Sequence, residues 1–141
     1  MLELIVGKIP DKFRETVKII AAKLRGQQYA IRGTASLVWQ GLDMNVDDID
    51  VLCDKATAEA AGATYKETSQ YKSYFLQTIV NGVPVEFMGD WQIKNPQGAW
   101  VFVEMDRVEV DGAFVTTIES ELKMYAAMGR WSAYHKIKKQ L

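Results

Sequence analysis

The chain has 141 residues and a net charge of −1, with 48% hydrophobic and 25% charged residues. This length suits one domain with a moderate core, and the near-neutral charge argues against a uniformly basic nucleic-acid binder. No apolar run approaches the ~20 residues that cross a bilayer, so no membrane partner is expected. The single cysteine and single histidine exclude an internal disulfide and argue against a structural zinc site.

The first residues lack the basic and apolar segments of a signal peptide. Cys53, which follows an apolar run, is expected to be buried and inert. These features together predict a cytoplasmic protein.

The first half of the chain predicts alternating helices and strands. A helix is expected to begin at Pro10 and Asp11 and to end near Gly26, because apolar residues recur at helical spacing between them. A strand, a short helix, a second strand and an alanine-rich helix then follow at 29–32, 34–40, 47–53 and 55–61.

Hairpins dominate the following part of the chain. Asn81-Gly82 and Asp111-Gly112 are both strong signals of a type I′ turn between two strands. The strands around and between these turns are expected at 74–80, 83–88, 99–104, 107–110 and 113–117.

From Ile118 onward the chain is predicted to be helical, with a break at Gly129. This order of elements predicts one α+β (mixed α/β) domain over residues 1–141, with a mixed, hairpin-rich sheet, helices packed on one face and a helical C-terminal segment at about 118–140. The hairpins, and the lack of a Gly-x-Gly-x-x-Gly motif, argue against a classical dinucleotide-binding fold.

Two acids stand one residue apart in the second predicted strand. Asp48 and Asp50 should share one face of it, while Ile49 and Val51 point into the core. Such a pair can bind a hard cation such as Mg²⁺. Acid pairs of this spacing are also common on solvated surfaces, but aspartate is a poor strand former, so two on an internal strand favour a function.

A glycine turn joins the first predicted strand to the short helix. Gly33 lets the backbone approach a ligand closely, and the amides that open the helix can face phosphate oxygens. Thr34 or Ser36 could add a hydroxyl donor, and Arg32 could add a positive charge. The alternative is a plain turn in which Thr34 is only the helix cap.

A third acid, Glu86, stands in an otherwise apolar strand of the first hairpin. A two-residue turn predicts that Glu86 pairs with Gln77. Because Pro84 has no N–H to give, the next strand should pair beyond it and close to Glu86, where the strand of Asp48 could lie.

Three features in this order resemble the DNA polymerase β-like nucleotidyltransferase superfamily. They are Gly33-Thr34, then Asp48-Ile49-Asp50-Val51 after a spacer of thirteen residues, and then the acid Glu86 on a later strand. The likeness is greatest to its small bacterial members, the minimal nucleotidyltransferases and the lincosamide and aminoglycoside nucleotidyltransferases. It covers a catalytic core at about 15–90. Thr34 stands where glycine or serine is usual, and Glu86 stands where aspartate is common.

This resemblance implies transfer of a nucleoside monophosphate from a nucleoside triphosphate, with ATP the expected donor, to an acceptor hydroxyl with release of pyrophosphate. Asp48, Asp50 and Glu86 would hold one or two Mg²⁺ ions, and Glu86 would also take the proton of the acceptor. The residues implied for triphosphate binding are Arg32, Gly33, Thr34, Ser36 and Lys123.

The expected acceptor is a small molecule or a protein hydroxyl. Because the chain is short, a second copy could supply a wall of the acceptor site, so a homodimer is expected. Aromatic residues could line a pocket for the base or acceptor, although most are expected in the core: Trp39, Tyr71, Tyr74, Trp91, Trp100 and Trp131.

Two other functions are weighed against this one. The first is a binding or interaction module that keeps the fold without catalysis, for example as a toxin–antitoxin partner. The second, modification of nucleic-acid ends, is disfavoured by the near-neutral charge.

Overall fold

The structure, a computed structural model, describes residues 9–141, and this part of the chain holds five helices and eight strands. The helices are α1 (Asp11–Lys23), α2 (Gly33–Trp39), α3 (Lys55–Ala61), α4 (Ile118–Ala127) and α5 (Trp131–Lys139). The strands are β1 (Tyr29–Arg32), β2 (Ile49–Cys53), β3 (Thr64–Glu67), β4 (Tyr71–Val80), β5 (Val83–Lys94), β6 (Trp100–Phe102), β7 (Arg107–Val110) and β8 (Ala113–Thr116).

All eight strands of the described residues belong to one sheet, in the order β3-β4-β5-β2-β1-β8-β7, with β6 paired to β5 outside this path. The pairs β2–β5 and β1–β8 are parallel, and the other neighbours are antiparallel. The predicted mixed sheet with hairpins is therefore confirmed.

The first predicted hairpin forms with the predicted register. Asn81 and Gly82 have φ values of 53° and 77°, as a type I′ turn requires of its two central residues. Gln77 and Glu86 are partners across β4 and β5. Side-chain alternation therefore places both on the same face of the sheet.

The predicted effect of Pro84 is also confirmed. On the side of β5 away from β4, the parallel pairing with β2 begins at Val85, opposite Ile49. Proline has no N–H for a ladder hydrogen bond, and the neighbouring strand starts at the first residue after it.

Several predicted boundaries were wrong. Strand β2 begins at Ile49 rather than at residue 47, so Asp48 directly precedes it. Strand β5 runs on to Lys94, because β6 pairs with its final residues, and β6 is shorter than the predicted 99–104. The exposed edge strand β3 was not predicted, because all four of its residues are exposed and leave no alternation to detect.

The main core lies on one face of the central strands. Ile31 of β1, Val51 of β2, Val85 of β5 and Val115 of β8 are fully buried there, and Val17 of α1 packs into the same cluster. Helices α2 and α3 also contribute side chains to it. Strand alternation therefore sends Asp50, the neighbour of Val51, to the opposite face.

A second, smaller core joins the C-terminal helices to the rest of the domain. It contains Leu37 of α2, Leu42 after it, Leu122 and Tyr125 of α4, and Ile137 of α5. The predicted break between α4 and α5 at Gly129 is confirmed, with φ of +70° at that residue. None of the helices between residues 9 and 141 combines the length and apolarity that crossing a membrane requires.

Candidate active site

A row of polar side chains crosses the face of the sheet opposite the main core. Asp50 on β2 is the strand partner of Arg32 on β1 and of Glu86 on β5, and Glu86 is the partner of Gln77 on β4. Adjacent strands lie ~4.8 Å apart, so these four residues, which we call the carboxylate row, are consecutive neighbours. The predicted approach of the Asp50 strand to Glu86 is confirmed.

Each acid of this row has a partner of opposite or complementary character. Arg32 Nη1 lies 3.6 Å from Asp50 Oδ2, and Gln77 Nε2 donates a hydrogen bond of 2.8 Å to Glu86 Oε1. Both carboxylates are thus oriented by neighbours on the outer strands of the row. Oriented acids of this kind suit a site that must keep its geometry when a ligand arrives.

Burial raises the pKa of Asp50 from its ordinary value of 3.8 to about 6. The positive charge of Arg32 opposes this rise in pKa, and the negative charges of Asp48, Glu86 and Glu121 add to it. Several acids are therefore close enough to Asp50 to repel its negative charge. A divalent cation bound among them would relieve this repulsion.

Asp48 contributes to this acidic site from outside the strand. Its exposed side chain directly precedes β2 and acts on the pKa of Asp50. Asp47 is exposed as well, but its charge is not one of those that shift the pKa of Asp50.

Within residues 9–141, no three His, Cys, Asp or Glu side chains are gathered into a ready-made metal site. Mg²⁺, however, is usually held by one or two carboxylates together with substrate phosphates and water rather than by an all-protein cage. Asp50 and Glu86 are adjacent oxygen donors, with Asp48 nearby. This donor set fits a magnesium ion that arrives with a triphosphate.

The glycine turn passes directly beside Asp50. Gly33 is buried and opens α2 with φ of +68°, and a Cβ added to it would lie 3.7 Å from Asp50 Oδ2. The alternative in which Thr34 caps the helix is wrong, because Arg32 is the cap residue and Thr34 lies inside α2. The turn therefore brings backbone close to the carboxylate row.

The position of Ser36 does not support its predicted contact with phosphate. Its side chain is fully buried, and its hydroxyl donates to the backbone oxygen of Thr116 at 2.9 Å. Ser36 thus fastens α2 to the end of β8. Ser36 is therefore not expected to contact the nucleotide.

Among the described residues, Lys123 forms no ion pair or hydrogen bond with the carboxylate row. Its side chain is 76% exposed and pairs with Glu119 at 3.7 Å. It follows Glu121 by two residues, or ~200° around the helix, and Glu121 faces the interior of the protein. Lys123 therefore points towards solvent, and its predicted triphosphate contact has no support from this geometry.

Gln77 and Glu121 were not assigned to the site from sequence, and Trp91 was expected only as one of several aromatic residues that could line a pocket. Gln77 holds Glu86, and the indole of Trp91 lies 4.7 Å beneath the guanidinium of Arg32. Glu121 is 97% buried; its Oε2 accepts a 2.7 Å hydrogen bond from the Thr116 hydroxyl, while Oε1 has no partner among residues 9–141. The hairpin register could have identified Gln77, but no local pattern marks Glu121 or the stacking of Trp91.

Comparison with known proteins gives support at the level of the fold. No protein-family model matches the chain, and no curated protein matches it in sequence. A crystal structure of a provisionally named nucleotidyltransferase from Thermotoga maritima is similar, with a TM-score of 0.77 and 24% identity over 94% of each chain. The protein JHP933 from Helicobacter pylori has a TM-score of 0.43 and 14% identity, over 82% of this chain and 56% of its own. The first of these shows that the chain has a nucleotidyltransferase-like fold.

Proposed function

We propose that this protein is a magnesium-dependent nucleotidyltransferase that moves a nucleoside monophosphate from a nucleoside triphosphate to an acceptor hydroxyl. The observation that carries the proposal is the pairing of Asp50 with Glu86 on two parallel strands, with the Gly33 backbone beside Asp50. Carboxylates for a hard cation and a backbone turn for phosphate then meet at one place. The fold of the Thermotoga maritima protein is consistent with this reaction class.

The donor triphosphate, for which ATP is our first choice, is expected to lie over the β1 side of the row. There the backbone at Gly33 and Thr34 would approach its oxygens, and Arg32 would supply positive charge. Arg32 is already held between Asp50 and the Trp91 ring. A guanidinium fixed in this way loses less freedom when it binds phosphate.

Asp48, Asp50 and Glu86 are the residues that would hold Mg²⁺. The ion, when bound, would supply positive charge for the transferring phosphoryl group and make the acceptor hydroxyl easier to deprotonate. Because the acids around Asp50 repel one another, this site would favour a cation even when no nucleotide is bound.

The reaction is an in-line displacement at the α-phosphorus. The acceptor oxygen forms a bond to the α-phosphorus. The bond from this phosphorus to the oxygen that bridges it to the β-phosphorus breaks, and pyrophosphate leaves with that oxygen and the electron pair of the broken bond. Glu86 accepts the proton of the acceptor hydroxyl. Gln77, which donates to Glu86 Oε1, would keep the carboxylate turned towards that proton.

Thermal unfolding with ATP, GTP, CTP and UTP, each with and without Mg²⁺, tests the proposal. Ligand that binds only the native state at ~100 times its Kd adds about 2.7 kcal/mol of stability, which gives a readable shift in Tm. We expect a Mg²⁺-dependent shift with at least one nucleotide, and its loss in the Asp48→Asn/Asp50→Asn variant. Asp47→Asn, which removes one negative charge from an exposed neighbour of the same segment, should keep the shift.

Each shift is measured against the ligand-free Tm of the same variant, because substitution of Asp50 itself changes stability. A Mg²⁺-dependent shift that survived in the double variant would contradict the assigned site. Release of pyrophosphate then separates turnover from binding.

One observation favours a second candidate, a module that binds without turnover. The ion pair between Arg32 and Asp50 already places a positive charge next to this carboxylate. A site that has lost its catalytic activity could keep such a pair for stability. Binding of Mg²⁺ and nucleotide with no pyrophosphate release over a broad set of acceptors would favour this candidate.

A further inference from the structure

A groove lies beside the carboxylate row, on the β4 side of Glu86. It encloses about 250 Å³ and is lined, besides Glu86, by Lys66, Tyr71, Phe75, Gln77, Met88 and Trp91. We call it the β4–β5 groove. The phosphate turn at Gly33 lies on the other side of Asp50, since the strand order is β4-β5-β2-β1.

The groove has an apolar floor next to a carboxylate. Phe75 and Met88 are strand partners, and the pair Gln77–Glu86 follows two residues along the same strands. Residues two apart share a face and lie ~7 Å from each other. A molecule resting on Phe75 and Met88 can therefore reach Glu86 with a substituent one or two bonds long.

Aromatic rings and a lysine surround this floor. Lys66 Nζ lies 4.6 Å from the centre of the Phe75 ring and 5.9 Å from that of Tyr71. The guanidinium of Arg32 lies 4.7 Å from the centre of the Trp91 ring. Ring faces of this kind favour contact with another apolar face, and these cation contacts limit their movement.

The direction of the reaction assigns the groove a role, and this step rests on the proposed function. In-line displacement puts the entering oxygen and the leaving pyrophosphate on opposite sides of phosphorus. With the triphosphate over the Gly33 side of Asp50, the acceptor must arrive over Glu86. Glu86 itself lines the β4–β5 groove.

We propose that the β4–β5 groove is the acceptor subsite and that it takes a small acceptor whose hydroxyl is carried on, or next to, a six-membered ring with an apolar face. The volume of about 250 Å³ lies below the ~300–1,000 Å³ typical of sites for drug-sized ligands, so it suits one ring with its substituents. An aromatic alcohol and a pyranose sugar share this chemistry, and the experiment separates them.

Saturation-transfer NMR on the full chain tests the assignment with three probes. Benzyl alcohol carries an aromatic ring, methyl β-D-glucopyranoside carries a sugar ring, and glycerol has hydroxyls without a ring. We expect binding of at least one ring probe and none of glycerol. Absence of binding by both ring probes would overturn the proposal.

Two variants decide whether the probe sits in the groove. Gln77→Trp fills its mouth from an exposed position of β4 and should abolish binding. Ile79→Trp places the same bulk at the next exposed position of the strand, which does not line the groove, and should leave binding unchanged. Phe75→Ala removes part of the floor and should weaken binding about ten-fold, which keeps the test open if Gln77→Trp fails to fold.

Binding that persists in both Gln77→Trp and Phe75→Ala would place the probe elsewhere, for example in the apolar groove at Leu24 and Leu76, and would overturn the proposal. Saturating Mg²⁺ with α,β-methylene-ATP should not displace the probe. Displacement would mean that the nucleobase occupies the groove, which also overturns it.

The Tm shift with Mg²⁺ and nucleotide keeps the two proposals apart. If the nucleotide shift is present and ring probes do not bind, only the acceptor subsite fails. If no nucleotide binds, the proposed function fails, and the acceptor role of the groove falls with it even where ring binding is seen.

Discussion

Asp50 and Glu86 are side by side because β2 and β5 run parallel with these two residues as direct partners. They come from strands separated by a helix and a hairpin, and both interrupt otherwise buried runs, since Ile49 and Val51 flank the first and Val85 and Phe87 flank the second. Asp50 loses hydration through burial, and the negative charge of Glu86 adds to the resulting rise in the pKa of Asp50. The fold thus retains an arrangement that costs stability until a cation or a proton arrives.

The first prediction concerns stability and pH. The pKa of Asp50 is raised to about 6 in the folded protein, against an ordinary value of 3.8, so the folded state holds this proton more tightly than the unfolded chain. The resulting stabilisation is complete below pH 3.8 and is lost as pH rises through about 6. Asp50→Asn, which stays neutral, should therefore raise the free energy of unfolding at pH 7.5 by about 3 kcal/mol.

Urea unfolding at pH 7.5 and at pH 3.5 checks this prediction. Wild type and Asp50→Asn should differ at the higher pH and converge at the lower one. Asp47→Asn, an exposed control, should match wild type at both. A less stable Asp50→Asn protein at pH 7.5 would show that the Arg32 pair outweighs the cost of burial.

The second prediction concerns Glu86 in catalysis. Removal of the proton acceptor by Glu86→Gln should lower kcat by about 10²–10⁴-fold, the range of general-base effects. Glu86→Asp keeps a carboxylate with a reach one methylene shorter and should retain part of the activity. Steady-state pyrophosphate release measures both.

Glu109→Gln is the matched control, since it makes the same chemical change on an exposed residue of β7, at the far edge of the sheet. It should keep the wild-type kcat. Equal activity of Glu86→Gln and Glu109→Gln would remove Glu86 from the mechanism.

The third prediction compares two glycines of similar backbone conformation. Gly33 and Gly26 have φ of +68° and +80°, where a Cβ costs roughly 1–2 kcal/mol. Both Gly33→Ala and Gly26→Ala should lose about this much stability. Only Gly33→Ala should also weaken nucleotide binding, because only its Cβ would face Asp50, whereas that of Gly26 meets no atom within 4 Å.

Isothermal titration with Mg²⁺ and ATP separates the two glycine variants after their stability has been matched by choice of temperature. A similar loss of affinity in both would attribute the effect to general loosening of the fold.

The fourth prediction concerns Arg32. Its positive charge lowers the pKa of Asp50, so Arg32→Ala should raise that pKa further, which carboxyl ¹³C NMR can follow. Arg32→Lys keeps the charge but not the planar group that stacks on Trp91. We expect Arg32→Lys to keep the pKa of Asp50 near that of wild type while the KM for ATP rises by roughly ten-fold.

If the Arg32→Lys protein instead kept both the pKa of Asp50 and the KM for ATP at their wild-type values, the stacking of Arg32 on Trp91 would have no part in nucleotide binding. Gln92→Ala, a change on the same strand next to Trp91, controls for disturbance of β5.

The local features of this protein could be predicted from sequence because they depend on neighbouring residues. Asn81-Gly82 determines the turn, and the turn then determines that Gln77 opposes Glu86. Pro84 cannot donate to a ladder, so it sets where the pairing of β5 with β2 begins. Strand alternation around Asp50 follows from the backbone alone.

What only the tertiary structure decided are the contacts between distant segments. Four features depend on how the elements pack. They are the parallel direction of β2 and β5, the burial of Glu121 and Ser36 against Thr116, the outward position of Lys123 and the stacking of Arg32 on Trp91. The sequence by itself determined that Asp50 and Glu86 interrupt apolar strands and point away from the core face, since alternation and turn geometry are local. The order of the strands in the sheet is set by burial of the whole core. No short sequence pattern contains this information.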